Sequence, residues 1–127
     1  FLEHHPHHYT NVKELFRRIE EGAISGVIST LVFAELLVPA YRLNKKELVE
    51  KVIRSLSNFP NLQVNPVSTM ISASAARIRA VHGLRTPDAI HAATALHSGA
   101  AGMVTNDKDM LKLASKEFGV WLFDKPD

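Results

Sequence analysis

Four short apolar runs set the limits on what this chain can fold into. They are Gly26-Val27-Ile28-Ser29, Leu62-Gln63-Val64, Ala101-Gly102-Met103-Val104-Thr105 and Val120-Trp121-Leu122-Phe123, and longer stretches with helical periodicity separate them. Short apolar strands alternating with helices imply a parallel sheet with helices on its faces. The sequence therefore predicts an α/β protein, a three-layer α/β/α fold around a short parallel sheet.

The helices are marked by their stripes and their stops. Val12, Leu15, Phe16 and Ile19 form one apolar face, with Asn11 and Glu14 as a capping pair and Gly22 as the stop. Thr30 is placed to cap a second helix through Leu31, Phe33, Leu36 and Leu37, which Pro39 bends or ends. Asn44 and Glu47 read as a capping box before Leu48, Val49, Val52, Ile53 and Leu56, and Pro60 closes that helix. Ser68 caps a helix bearing Ile71, Ile78 and Val81 that ends at Gly83. Thr86-Pro87 opens the next helix, since proline suits the first helical position. From Pro87 to Ser98 it is apolar nearly all round, the mark of a buried helix. A last helix is expected from Asp107 to Glu117, stopping at Gly119. Phe33, Phe59 and Trp121 read as core. No repeat or linker interrupts the chain, so residues 1–127 are read as one domain.

Bulk properties mainly exclude. No apolar run approaches the ~18 residues of a membrane span. The first residues are rich in histidine and do not follow the basic-then-apolar order of a signal peptide. The absence of cysteine excludes disulfides and thiolate metal sites and fits a cytoplasmic setting. Fifteen basic residues against 13 acidic ones give +2, too weak to imply nucleic-acid binding by itself. There is no glycine-rich phosphate loop and no serine elbow, which removes the NTPase and hydrolase-triad readings.

Three acids stand out, because ligands of parallel α/β sheets bind beyond the carboxyl ends of the strands. Asp107 follows the run ending at Val104-Thr105, Asp88 lies in the first turn of the most buried helix, and Glu35 projects from the hydrophobic segment Val32 to Leu37. Carboxylates gathered at one sheet edge repel unless a divalent ion neutralises them, and hard oxygen ligands suit Mg²⁺ or Mn²⁺. The plainer roles are a helix-dipole partner for Asp88 and an N-cap for Asp107. Glu35 is harder to dismiss because its neighbours on both sides are apolar. The spacing alone reaches no further than an acidic-site α/β protein.

The segments Ser29–Leu36, Thr86–Ala95 and Val104–Met110, in this order and with these spacers, resemble the PIN-domain family, in particular VapC-type toxin ribonucleases. The resemblance covers essentially the whole chain, and its middle segment is the most specific. It implies an endoribonuclease that cuts RNA with Mg²⁺ or Mn²⁺, dimerises, and is inhibited by a cognate antitoxin. Glu35, Asp88 and Asp107 match the second, third and fourth acids of that family's metal site, with Asp109 as an auxiliary or, in preference, a surface residue of the last helix. The family's first acid lies on a strand before the first helix, and none precedes Phe1 here, so an additional upstream strand bearing that aspartate is expected. Glu3 is a poor substitute because no strand pattern leads up to it.

The remaining candidates are weaker. His4, His5, His7 and His8 around Pro6 read as a solvated loop in preference to a ligand cluster. His91, one turn after Asp88, and His97 read as hydrogen-bonded core or site-edge histidines in preference to a general base, with His91 able to touch the ligand shell. Arg77, Arg79 and Arg85, with Lys108, are the best basic group for holding RNA phosphates, although exposed helix arginines often serve only solubility. Two other classes stay open. One is an inactive PIN-like RNA- or protein-binding module. The other, an acid-site phosphatase, would need a strand-end aspartate nucleophile that the sequence does not show.

Overall fold

The computed structural model describes residues 12–123. Along the chain run α1 (Val12–Glu20), β1 (Gly26–Ser29), α2 (Leu31–Leu36), α3 (Val38–Arg42), α4 (Lys46–Ser57), β2 (Leu62–Asn65), α5 (Thr69–His82), α6 (Thr86–His97), β3 (Gly102–Thr105), a 3₁₀ helix (Lys108–Leu113) and β4 (Gly119–Leu122). The α/β class and parallel pairing expected from the apolar runs are present. Among the described residues the strands form two separate sheets, with β1 parallel to β2 and β3 parallel to β4.

The layers follow from where alternate side chains of β3 go. Met103 packs with Ile71, Ala75 and Ile78 of α5 and with Ala89, Ala92 and Ala93 of α6. Val104, pointing the other way, joins Leu15 and Ile19 of α1, Ile24, and Leu62 of β2. A strand covered on both faces reads as a continuous apolar run, and Gly102, Met103 and Val104 are all buried. α1 and its cluster lie on one side of both sheets, while α6 packs against β1 and β3 on the other. A smaller core of Leu37, Ala40 and Val49 joins α3 to α4, with Phe33 against it.

Several local signals were read correctly. The Ser68 side chain accepts a hydrogen bond from the Ile71 N–H, and α5 ends at Gly83 with φ +68°, a conformation that glycine adopts without steric cost. α6 starts at Thr86-Pro87 and buries Ala89, Ala92, Ala93, Thr94 and Ala95, although Leu96 on its outer side is 43% exposed.

Other expectations need correction. The Asn44–Glu47 box does not form: Asn44 takes φ +55°, and Lys45 precedes α4 with no side-chain cap. Thr30 does not cap α2, because its hydroxyl accepts from the Val67 N–H while the neighbouring Ser29 hydroxyl accepts from the Leu31 N–H. The last helix is a 3₁₀ turn ending at Leu113, and Gly119 belongs to β4 and does not act as a stop. Phe33, Phe59 and Trp121 are half-buried at the edges of clusters. Asn11, the proposed cap of α1, and the histidine tract with Glu3 lie outside the described residues.

The pairing of β3 with β4 depends on two facing glycines. Gly102 and Gly119 are register partners, and the Trp121 indole lies over both. A Cβ on Gly102 would collide with the Gly119 carbonyl and lie 2.9 Å from Trp121 Cη2, so backbone would have to move. Gly102→Ala should therefore destabilise the protein by about 1–3 kcal/mol, the usual cost of overpacking. Urea denaturation measures this, and an unchanged midpoint would contradict the packing described.

Candidate active site

A cavity of about 180 Å³ opens between β1 and β3. Three consecutive residues of each strand line it, Val27-Ile28-Ser29 and Met103-Val104-Thr105. Side chains of a strand alternate between faces, so consecutive lining residues mean that strand edges face the cavity. These are the edges that β1 and β3 do not use in pairing with β2 and β4. α6 closes one side with Asp88, His91, Thr94 and Ala95.

Both strands end on a hydroxyl that shapes the exit of the chain. The Ser29 hydroxyl, on a residue only 1% exposed, accepts the Leu31 N–H at 3.0 Å, and Thr105 Oγ1 accepts the Asp107 N–H at 3.1 Å. Each bond spans two residues and turns the chain sharply into the following helix. The sequence displayed these hydroxyls at the ends of the runs, and the signal that could have singled them out is a Ser or Thr that ends an apolar run two or three residues before a helix start.

Of the three acids only Asp88 lines this cavity, while Glu35 bonds to its lining residue His91 and Asp107 follows its lining residue Thr105. Asp88 lines it from the first turn of α6, with its side chain 19% exposed and paired to Arg85 Nε at 3.1 Å. The Arg85 side chain is largely in solvent, so this pair is a weak restraint. Glu35 of α2 is reached from α6, because His91 Nε2 lies 2.7 Å from Glu35 Oε1. Asp107 stands two residues beyond Thr105, and its Oδ1 accepts the Asp109 N–H at 2.9 Å, which makes it the cap of the 3₁₀ helix. Asp109 itself is exposed.

The carboxylates therefore already have protein partners: Arg85 for Asp88, His91 for Glu35 and a backbone amide for Asp107. Among the described residues, no group of three or more histidine and acidic side chains is placed so as to hold a metal ion. Three carboxylates are suitable donors for a hard divalent cation. In this arrangement they do not converge on one.

The basic residues do not form a single group. Arg85 sits beside Asp88, whereas Arg79 Nε donates to the Leu84 carbonyl. Arg77 borders a different groove, with Val81 and Leu96, and Lys108 is exposed at the start of the 3₁₀ helix. His97, expected in the core or at the site edge, is exposed near the end of α6.

Comparison with protein families gives a match to the PIN domain over residues 1–116. The chain belongs to the PIN-domain family. Two solved structures share the PIN-domain fold with it. One, described as VapBC2 from Rickettsia felis bound to a DNA fragment from their promoter, is 18% identical, with a TM-score of 0.57 over 91% of this chain and 99% of the other. The second, a toxin–antitoxin complex from Klebsiella pneumoniae, is 20% identical, with a TM-score of 0.56 over 73% and 71% of the two chains. No curated protein matched this PIN domain. Among its described residues, no helix is long and apolar enough to cross a membrane.

The hydroxyl at the end of β1 offers a direct check on this PIN-domain site. Ser29→Ala removes the acceptor for the Leu31 N–H at the start of α2, at an expected cost of about 1 kcal/mol. Thermal unfolding should show a lower midpoint, and an unchanged one would mean the bond contributes nothing.

Proposed function

We propose that this PIN domain is a divalent-metal-dependent endoribonuclease and the toxin of a toxin–antitoxin pair. The observation that carries the reading is the position of Asp88. It is an acid in the first turn of the most buried helix, lining a cavity between two strand edges, with Glu35 tethered to its neighbour on the helix, His91, and Asp107 two residues beyond Thr105. Family membership supports a nuclease, and the two toxin–antitoxin neighbours support the toxin role and a cognate antitoxin as partner.

In this proposal Glu35, Asp88 and Asp107 are the catalytic and metal-holding residues, with Asp109 as an auxiliary and Mg²⁺ or Mn²⁺ as the cofactor. A bound divalent ion makes a water more acidic and offsets charge on a phosphodiester. The residues' own share of the work is electrostatic. Asp88 must release Arg85 far enough to present its oxygens, while Glu35, held by His91 through Oε1, offers its second oxygen towards the same point. Arg85, once it releases Asp88, is an exposed guanidinium suited to a substrate phosphate. Lys108, Arg77 and Arg79 are the further candidates for RNA contacts. Homodimerisation and a cytoplasmic location complete the proposal.

A second reading has an observation in its favour. The carboxylates do not converge among the described residues, as would hold for a PIN-like RNA- or protein-binding module without catalysis.

Cleavage of a single-stranded RNA with Mn²⁺ separates the two. The nuclease reading expects activity that EDTA abolishes and that Asp88→Asn lowers by at least about 100-fold, the scale of losing one electrostatic stabiliser of a transition state. RNA binding without cleavage would favour the module. Cleavage insensitive to EDTA or to Asp88→Asn would remove the assignment.

A further inference from the structure

We infer that His91 is a positioning residue for Glu35, an inference that rests on the nuclease reading above. Glu35 sits on a helix of six residues, none of them fully buried. A glutamate on such a helix would otherwise sample several rotamers, and ordering a long side chain costs up to ~2 kcal/mol. His91 does not share that freedom. Its neighbours Ala89, Ala92 and Ala93 have no exposed surface, so the backbone of α6 holds the base of the ring in place.

The ring reaches across to α2 and meets Glu35 Oε1 at 2.7 Å, a length typical of a hydrogen bond to a charged acceptor. A carboxylate only accepts, so Nε2 carries the proton, and it does so whether or not the second ring nitrogen is protonated. One oxygen of Glu35 is thereby fixed and the other left for a ligand. Asp88 and His91 are three residues apart on α6, hence on the same side of the helix, and both line the cavity. α6 therefore brings two acids to this site, one of its own and one that it holds through His91. Substituting residues that orient a ligand-bearing side chain commonly costs 10–100-fold in affinity or activity.

Two variants and two measurements test the inference. His91→Ala should lower kcat for RNA cleavage by about 10–100-fold with KM nearly unchanged, whereas His91→Gln, whose amide N–H can reach the same oxygen, should recover most of the loss. In the wild type, the NMR signals of the His91 ring nitrogens should shift on Glu35→Ala while the circular dichroism spectrum stays the same. His91→Ala cleaving at the wild-type rate, His91→Gln as slow as His91→Ala, or ring signals indifferent to Glu35→Ala would each overturn the inference and leave the nuclease reading standing. A wild-type protein that cleaves no RNA would overturn both.

Discussion

The arrangement depends on the packing of α6 against both sheets. Ala89, Ala92 and Ala93 are completely buried, and side chains this small let a helix backbone lie close to the strands beneath it. The described strands pair only two by two, so no hydrogen-bond ladder among them holds β1 and β3 at a fixed separation. α6 touches both strands on one side, and on the other a cluster joins α1 to Leu62 and Val104. Protein interiors are packed too densely to absorb even one added methylene without response, so a larger side chain at Ala89, Ala92 or Ala93 would disturb the seat of α6.

The proposed site is attached to that same helix. Asp88 lies in its first turn, His91 one turn further, and Thr94 and Ala95 close the cavity behind them. The site is electrostatically quiet in the arrangement seen, because each acid has a partner supplied by the protein. Exposed pairs such as Arg85–Asp88 are worth little and exchange readily, whereas an unpartnered carboxylate at a cavity wall would be costly. A divalent cation would therefore enter by replacing the weak Arg85 partner of Asp88, while Glu35 keeps its bond to His91 through one oxygen.

Much of the fold was legible because apolar periodicity and proline or glycine punctuation agreed. Ser68, Gly83, Thr86-Pro87 and the alanine face of α6 each carried a local signal that tertiary structure did not override. Where reading failed, a competing interaction won. Thr30 was the obvious cap for α2, but its hydroxyl is taken by Val67, thirty-seven residues away, and the adjacent Ser29 takes over the turn. Gly119 looked like a stop but is required in β4, because the Trp121 indole leaves no room for a side chain there. Asp88, Glu35 and Asp107 could be picked out as candidates from strand ends and apolar surroundings. Their separate partners could not, since Glu35 and His91 are fifty-six residues apart in the chain.

The proposed site has Glu35, Asp88 and Asp107 together serving one divalent cation beside the cavity between β1 and β3. Titration of the ¹⁵N-labelled protein with Mn²⁺ measures this most directly, because the paramagnetic ion broadens amide signals near its binding point. The account predicts early broadening confined to the residues around Glu35, Asp88, Ser29 and Thr105–Asp107, reversed by EDTA. Broadening centred elsewhere, or spread evenly over the acidic surface, would contradict it.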